Sequence, residues 1–349
     1  MNVLGIETSC DETSASVVRD GCEVLSSVIS SQIDQHSPYG GVVPEIASRS
    51  HVEALPSVVA AAVRNAGVGW DGLDAVAVTC GPGLASSLMA GLIAARALAY
   101  RIGKPLLGLN HLEAHIYSVF LDRAAPPPSE IAPLLFLTVS GGHTNLVLMR
   151  GLHDYEMLGT TLDDAAGEAL DKGAKLLGLG YPGGPAIEKT SKGGRADYIR
   201  FPRGVSSATN GNLANGLNPK MCFSFSGVKT SLLYYTKKHP EVFSNPSVFR
   251  DVACSYQAAI IDAMIRRVRF AVGLHKVNAL ACAGGVARNT LLRDSMTLLA
   301  GETGIPLYLA PNEYCTDNAA MVAGLGGALD MAGIETSPAF DVEPRMPLA

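Results

Sequence analysis

LLFLTVSGGHTNLVLM, residues 134–149, decides the fold once it is set beside VLGIETSCDETSASVV, residues 3–18. Each opens on a short apolar run, 134–139 and 3–8, with the length and content of a buried strand. Each then turns through small polar residues and becomes apolar again. The turns are Ser140-Gly141-Gly142-His143-Thr144 and Ser9-Cys10-Asp11-Glu12-Thr13. Third strands at 155–160 and 23–27 complete each set, and Asp20-Gly21 is a tight-hairpin signal between the second and third strands of the first set.

Working outward, the resemblance between the two stretches continues. A helix is expected at 45–66 in the first half and at 163–177 in the second. A strand ending in glycine follows each: DAVAVTCGPG (74–83) and NALACAGG (278–285). A further helix leads to GKPLLGLN (103–110) and to GIPLYLA (304–310). The interval from Gly83 to Pro105 is 22 residues and from Gly285 to Pro306 it is 21. Ordinary βαβ grammar is the plainer alternative; a duplication explains the spacing as well. The expectation is an α/β protein of two βββαβαβα halves with similar sheets facing across a cleft. The halves are expected at 1–120 and 121–316, the second with an insert at about 190–250 that reads as a surface subdomain or lid. A C-terminal helix, 317–349, is expected to rejoin the first half.

The chain has 349 residues, enough for two domains. Hydrophobic residues make up 48% and charged residues 17%, which excludes a disordered chain. The net charge of −5 excludes a nucleic-acid binder held by bulk charge, but not one with a local basic patch. Seven scattered cysteines without a CxxC pair suit a reduced, cytoplasmic setting. The opening MNVLGIETSCDE has no basic leader region. The uncharged stretch 75–95 is long enough to span a membrane but is broken by Gly81-Pro82-Gly83, so strand, turn and buried helix fit it better.

Several residues are placed to do chemistry. In His111-Leu112-Glu113-Ala114-His115 the histidines fall at i and i+4, on one helix face, as metal ligands do. A zincin protease needs its glutamate directly after the first histidine, and here the acid is Glu113. Taken alone, the pair is most simply structural. The pseudo-equivalent segment in the second half is Cys315-Thr316-Asp317-Asn318-Ala319. Its plainer reading is a helix N-cap. Pseudo-symmetry instead sets Asp317 beside His111 and His115, a two-histidine, one-carboxylate set suited to Fe2+ or Zn2+. Asp11 and Glu12 are either a solvated turn or carboxylates acting as base or cation holders. The Ser140–Thr144 turn offers backbone N–H groups to a phosphate. Gly183-Gly184 and Gly284-Gly285 give flat backbone surfaces to an adenine base. Asp171 and Glu188 are candidates for ribose hydroxyls. An Asp171–Lys172 surface ion pair is the bland alternative. Basic runs at Lys189, Lys192 and Arg195, at Lys220 and Lys229, at Lys237 and Lys238, and at Arg266, Arg267 and Arg269 are either solvated faces or RNA-backbone contacts.

Taken together, ETSCDET (7–13), EIASRSH (45–51), GPGL (81–84), NHLEAH (110–115), VSGGHT (139–144), DDAAGEALDK (163–172), YPGGP (181–185), FSFSGVKT (223–230), GGVARN (284–289) and CTDNAAM (315–321) resemble one family. It is the tRNA N6-adenosine threonylcarbamoyltransferase family, TsaD in bacteria, once described as a glycoprotease. The resemblance runs over nearly the whole chain. It implies the actin-, Hsp70- and sugar-kinase-like (ASKHA) fold. It implies transfer of threonylcarbamoyl from threonylcarbamoyl-AMP to N6 of adenosine 37 in tRNA, releasing AMP. It implies one divalent metal per chain, iron before zinc, at His111, His115 and Asp317. Contacts to the adenine nucleotide (the adenylate, AMP or ATP) map onto Thr138, Val139, Ser140, Gly141, Gly142, Asp171, Gly184, Glu188 and Asn289. Arg288 stands where the family carries a small residue, which bears on the loop around Asn289. Implied partners are tRNA, the paralogous dimerisation subunit TsaB, the ATPase subunit TsaE and a separate synthase making the adenylate. Asp11 is the candidate base for the attacking amine, with Glu12 beside it. An ATP-dependent phosphotransferase of the same fold and a non-catalytic nucleotide-binding scaffold are the rival readings.

Overall fold

A computed structural model of the chain describes residues 1–204, 213, 216–334, 336 and 341–348. Among the described residues, ten strands form two sheets. The first sheet takes β1 (Asn2–Glu7), β2 (Glu12–Arg19), β3 (Glu23–Ser31), β4 (Ala75–Gly81) and β5 (Leu106–Asn110). The second takes β6 (Leu134–Val139), β7 (Thr144–Gly151), β8 (Asp154–Thr160), β9 (Ala279–Ala283) and β10 (Leu307–Leu309). The orders are β3-β2-β1-β4-β5 and β10-β9-β6-β7-β8, the same order with β1 replaced by β6 and so on through the set. Registers agree as well. β1 is antiparallel to β2 (Val3 opposite Val18) and parallel to β4 (Val3 opposite Ala75). β6 is antiparallel to β7 (Leu134 opposite Met149) and parallel to β9 (Leu134 opposite Ala279). This is the duplicated α/β fold expected from residues 3–18 and 134–149.

The longer helices are α1 (Pro44–Ala66), α2 (Ala85–Ile102), α3 (His111–Tyr117), α4 (Ala166–Leu177), α5 (Gly183–Ser191), α6 (Ser226–Lys238), α7 (Pro246–Val272), α8 (Thr290–Thr303) and α9 (Ala319–Met331). Alternation along each strand sorts the helices of the first sheet. Leu4, Ile6, Val76 and Val78 join Leu55, Val59, Leu92 and Ala95 of α1 and α2 in one buried cluster. The intervening Ala77, with Leu107 and Leu109, lies against Gly326 of α9, where no side chain holds the helix off the sheet. Both faces of the central strands are covered, which is why they read as continuous apolar runs.

The chain divides into two compact units. The first is Met1–Glu130 with Gly151–Tyr155 and Ala310–Ala349; the second is Ile131–Arg150 with Glu156–Leu309. Three local expectations differ in detail. The helix expected from 163 starts at Ala166, because Asp163 accepts hydrogen bonds from Phe225 N and Ser226 N at 2.7 and 3.1 Å and so holds a distant loop. The helix expected over 317–349 is α9, ending at Met331; residues 335, 337–340 and 349 of that span lie outside the described residues. Residues 205–212, 214 and 215 of the expected insert also lie outside them. The preceding part of the insert is docked on α7. Ile199 N donates to Ser255 Oγ at 3.1 Å, and Phe201 meets Tyr256 edge to face. Stretch 75–95 is β4, a turn and the start of α2, and among the described residues no helix is long and apolar enough to cross a membrane.

Candidate metal centre and nucleotide site

α3 begins directly at the end of β5. Asn110 caps it, its side chain accepting from Leu112 N at 2.8 Å and Glu113 N at 3.3 Å. His111 is therefore the first helical residue and His115 lies one turn on, with ring centroids 4.5 Å apart and nearly perpendicular. Asp317 comes from the loop before α9. Its Oδ1 lies 3.1 Å from His115 Nε2 and 3.7 Å from His111 Nε2. The three ligand atoms fall within 4.8 Å of one another. Asp317 is not the cap of α9; Asn318 is, accepting from Met321 N at 3.0 Å, which leaves the Asp317 carboxylate to the histidines.

Glu7 stands behind this triad. It ends β1 fully buried; Ser9 N donates to its Oε1 and Thr79 Oγ1 to its Oε2, both at 2.6 Å. His111 Nδ1 is 3.1 Å from Glu7 Oε2. Once the proton on Nε2 has left, a carboxylate on Nδ1 holds the tautomer that turns the Nε2 lone pair to the triad, as outer-shell carboxylates do for metal-bound histidines. Burial works against charge on His111, but Glu7 and Asp317 outweigh it and push the imidazole up to about 9. Burial likewise works against charge on Glu7, and the His111 cation outweighs it, holding the carboxyl below its ordinary range. The pocket thus favours a cation. His115 Nδ1 is buried without a hydrogen-bond partner. Two imidazoles, one carboxylate and an orienting carboxylate fit a divalent transition metal. Glu113 takes no part; its Oε2 lies 3.0 Å from His153 Nδ1.

The β1–β2 turn carries the other two acids. His51 of α1 pins it, with Nε2 3.0 Å from Cys10 O and Nδ1 2.7 Å from Thr13 Oγ1. Burial, with the Asp11 and Asp317 charges, pushes Glu12 up to about 9. Burial and Asp11 push the Cys10 thiol well up, which excludes a reactive thiolate. Asp11 and Glu12 are not among the three clustered ligands. Glu7 and His51 carry the local architecture without having been given roles from the sequence.

The nucleotide candidates all lie in the second unit. The β6–β7 turn is closed by Ser140 N donating to His143 O at 2.8 Å, and it rests on the start of α4. Gly141 and Gly142 are exposed, and a Cβ added to either would meet nothing within 4 Å. Their backbone is open to a ligand. Thr138 Oγ1 is buried without a hydrogen-bond partner. Gly284, with φ +99°, presses on the Val139 carbonyl so closely that any side chain there would collide. Asp171 Oδ1 accepts from Gly183 N at 2.7 Å, fixing the start of α5 on α4. Lys172 pairs instead with Asp164 and Glu168, at 2.8 and 2.7 Å, so the Asp171–Lys172 pair does not form. At Gly184 an added Cβ would find only Leu170 Cδ1, at 3.9 Å. Glu188 Oε1 accepts from Thr290 N at 2.9 Å, and Asn289 Oδ1 caps α8 through Leu292 N at 3.2 Å. Asn289 Nδ2 reaches Glu188 Oε2 at 3.4 Å. Arg288 is exposed, and the cap beside it is intact. Glu188 and Asn289 thus brace one corner, and Asp171 braces the approach to Gly184.

Comparison with known proteins bears on the family and the fold. The family described as "TsaD: tRNA N6-adenosine threonylcarbamoyltransferase" matches residues 23–324. A protein of that name from Anaeromyxobacter dehalogenans is 48% identical over 343 residues, 98% of each chain. One from Desulfitobacterium hafniense is 49% identical over 327 residues, 93% of this chain and 91% of that one. Among solved structures, T. kodakarensis HypF matches with a TM-score of 0.59 at 16% identity, over 95% of this chain and 48% of that one. Component A of the Acidaminococcus fermentans (R)-2-hydroxyglutaryl-CoA dehydratase matches with a TM-score of 0.51 at 12% identity, over 94% and 98%. At such identities these two speak for the fold alone, which is of the actin, Hsp70 and sugar-kinase type. A chain that shares nearly half its residues with such transferases along nearly its whole length belongs to the tRNA N6-adenosine threonylcarbamoyltransferase family.

Proposed function

We propose that the chain transfers the threonylcarbamoyl group of threonylcarbamoyl-AMP to N6 of adenosine 37 in tRNAs reading codons that begin with A, releasing AMP, with a divalent metal held by His111, His115 and Asp317. Near-full-length identity of 48% to a transferase of that name carries the reading. The three clustered ligands, with Glu7 behind them, support the metal, iron(II) before zinc. When bound, such an ion supplies Lewis-acid polarisation and an anchor for oxygen ligands.

The remaining work falls to the chain's own groups. The open backbone at Gly141 and Gly142 donates to the phosphate, which gains charge as AMP departs. Asp171, Gly184, Glu188 and Asn289 hold the nucleoside, with Gly184 presenting bare backbone to it. The adenine amine must lose a proton as it attacks. Asp11 takes that proton. The carbamoyl phosphate anhydride is already activated, so no covalent enzyme intermediate is needed. TsaB and TsaE are the proposed protein partners, with the adenylate supplied by a separate synthase. Seven free cysteines are in keeping with a reducing cytoplasm.

AMP release from supplied threonylcarbamoyl-AMP tests this reading. Release that depends on unmodified tRNA and is lost in His111→Ala is the expected result. ATP hydrolysis indifferent to tRNA, with no AMP formed from the adenylate, would favour the phosphotransferase reading instead.

A further inference from the structure

The net charge of −5 conceals a strong asymmetry. The second unit holds 19 Lys and Arg against 12 Asp and Glu, whereas the first holds 8 against 20. The units therefore carry net charges of +7 and −12. Within the second unit, one run of contacts gathers basic and aromatic groups on a single face. Arg195 Nε lies 3.0 Å from Asp251 Oδ2 at the start of α7, and its guanidinium sits 4.8 Å from the centroid of the Tyr198 ring. Tyr198 lies near Tyr235 of α6, and the Tyr235 ring stacks on His239 at 4.5 Å. Lys237 and Lys238, in the last turn of α6, and Arg250, in the first turns of α7, are exposed beside this chain of contacts. Tyr234 is 67% exposed there. Of the nearby acids, Asp251 is paired with Arg195 and Glu241 with His239, leaving Asp197 as the other exposed carboxylate, so the face stays positive.

We propose that this face, built from the 192–200 segment, the end of α6 and the start of α7, is a docking surface for the sugar–phosphate backbone of the tRNA substrate. The inference rests on the transferase reading for its choice of RNA. Its physical support is charge complementarity. Lysines and an arginine on rigid helix ends suit phosphates, and an exposed tyrosine beside a stacked Tyr–Arg pair suits an unpaired base. Contacts of this type carry affinity and position, not sequence.

The test is binding of an unmodified tRNA transcript to the full chain, with its partner subunits, over a salt series from about 50 to 200 mM. The triple variant Lys237→Ala/Lys238→Ala/Arg250→Ala is compared with a control that removes three exposed arginines of the first unit, Arg49, Arg64 and Arg101. Each lost phosphate contact lowers the slope of log K against log[salt] by about 0.7–0.9, so three lower it by about 2–3. The affinity lost across that salt range then shrinks by roughly 18- to 42-fold relative to wild type. AMP binding is expected to be unchanged, as is single-turnover transfer at saturating tRNA. An unchanged slope in the triple variant, or an equal change in the control, overturns the surface while leaving the transferase reading standing. Loss of a partner subunit with tRNA affinity retained also overturns it, in favour of an acidic protein as occupant. Failure of the wild type to bind tRNA removes both.

Discussion

Glu7→Gln is the sharpest probe of the metal centre. The substitution keeps the shape of a fully buried side chain and an acceptor for Ser9 N, so it is expected to cost no more than about 1–2 kcal/mol of stability. Its effect falls on His111. In the wild type the carboxylate 3.1 Å from Nδ1 holds that proton, so only the proton on Nε2 must leave for a metal to bind. An amide NH2 turned towards Nδ1 donates instead, and favours the tautomer with the proton on Nε2, facing Asp317. Losing an outer-shell partner of a metal-bound histidine typically costs about 10–100-fold in affinity, or about 1.4–2.7 kcal/mol. The assay is competition of the purified protein with a chelating dye for Fe2+ under anaerobic conditions, and for Zn2+ in parallel. Folding is followed by thermal melting, and His111→Ala serves as the variant lacking a ligand. Affinity within about twofold of wild type in a folded Glu7→Gln protein, well below the outer-shell range, would refute the orienting role.

Three other perturbations separate the remaining assignments. Gly184→Val is expected to melt within a few degrees of wild type, because an added Cβ meets only Leu170 Cδ1 at 3.9 Å, yet to weaken AMP at least about tenfold by filling backbone-approach space. Calorimetry showing unchanged AMP affinity removes Gly184 from the site. Asp11→Asn is expected to slow single-turnover transfer by about 10²–10⁴-fold at saturating adenylate and metal, with binding of both intact. A rate within about twofold of wild type, or a loss of binding in proportion, rules out the base role. Asp163→Asn is expected to destabilise the fold on the order of 1 kcal/mol at neutral pH, allowing for partial exposure. Burial alone would raise the Asp163 pKa, but donors from Ser224, Phe225 and Ser226 outweigh it and hold the folded value below the ordinary 3.8. The contribution is therefore present above about pH 4 and disappears as pH falls through the lower folded value. Urea titrations showing an equal gap at neutral pH and well below pH 3 would contradict that origin.

The duplicated sheet order was legible because strand, glycine turn and helix recur at matched spacing in 3–110 and 134–310. Local periodicity suffices for that. The His111, His115 and Asp317 cluster was legible through the duplication and the family resemblance, not from local pattern, since Asp317 lies 202 residues from His115. Glu7 was not, because its meaning comes from a partner 104 residues away and nothing nearby in sequence distinguishes it from the polar end of a strand. Asp163 and Asp164 read as the start of a helix, as acids before an apolar stretch usually do. Their donors, on Phe225 and Lys229, lie 62 and 65 residues further on. His51 was hidden for the same reason: it is an ordinary residue on the buried face of α1 until the β1–β2 turn folds against it.

The most direct measurement is nucleoside mass spectrometry of an unmodified tRNA transcript incubated with the purified chain, its partner subunits, Fe2+ and synthetic threonylcarbamoyl-AMP. N6-threonylcarbamoyladenosine is expected at position 37 in stoichiometric amount, absent when His115 and Asp317 are both replaced by alanine. Wild-type protein that binds nucleotide and metal yet leaves adenosine 37 unmodified would contradict the assignment.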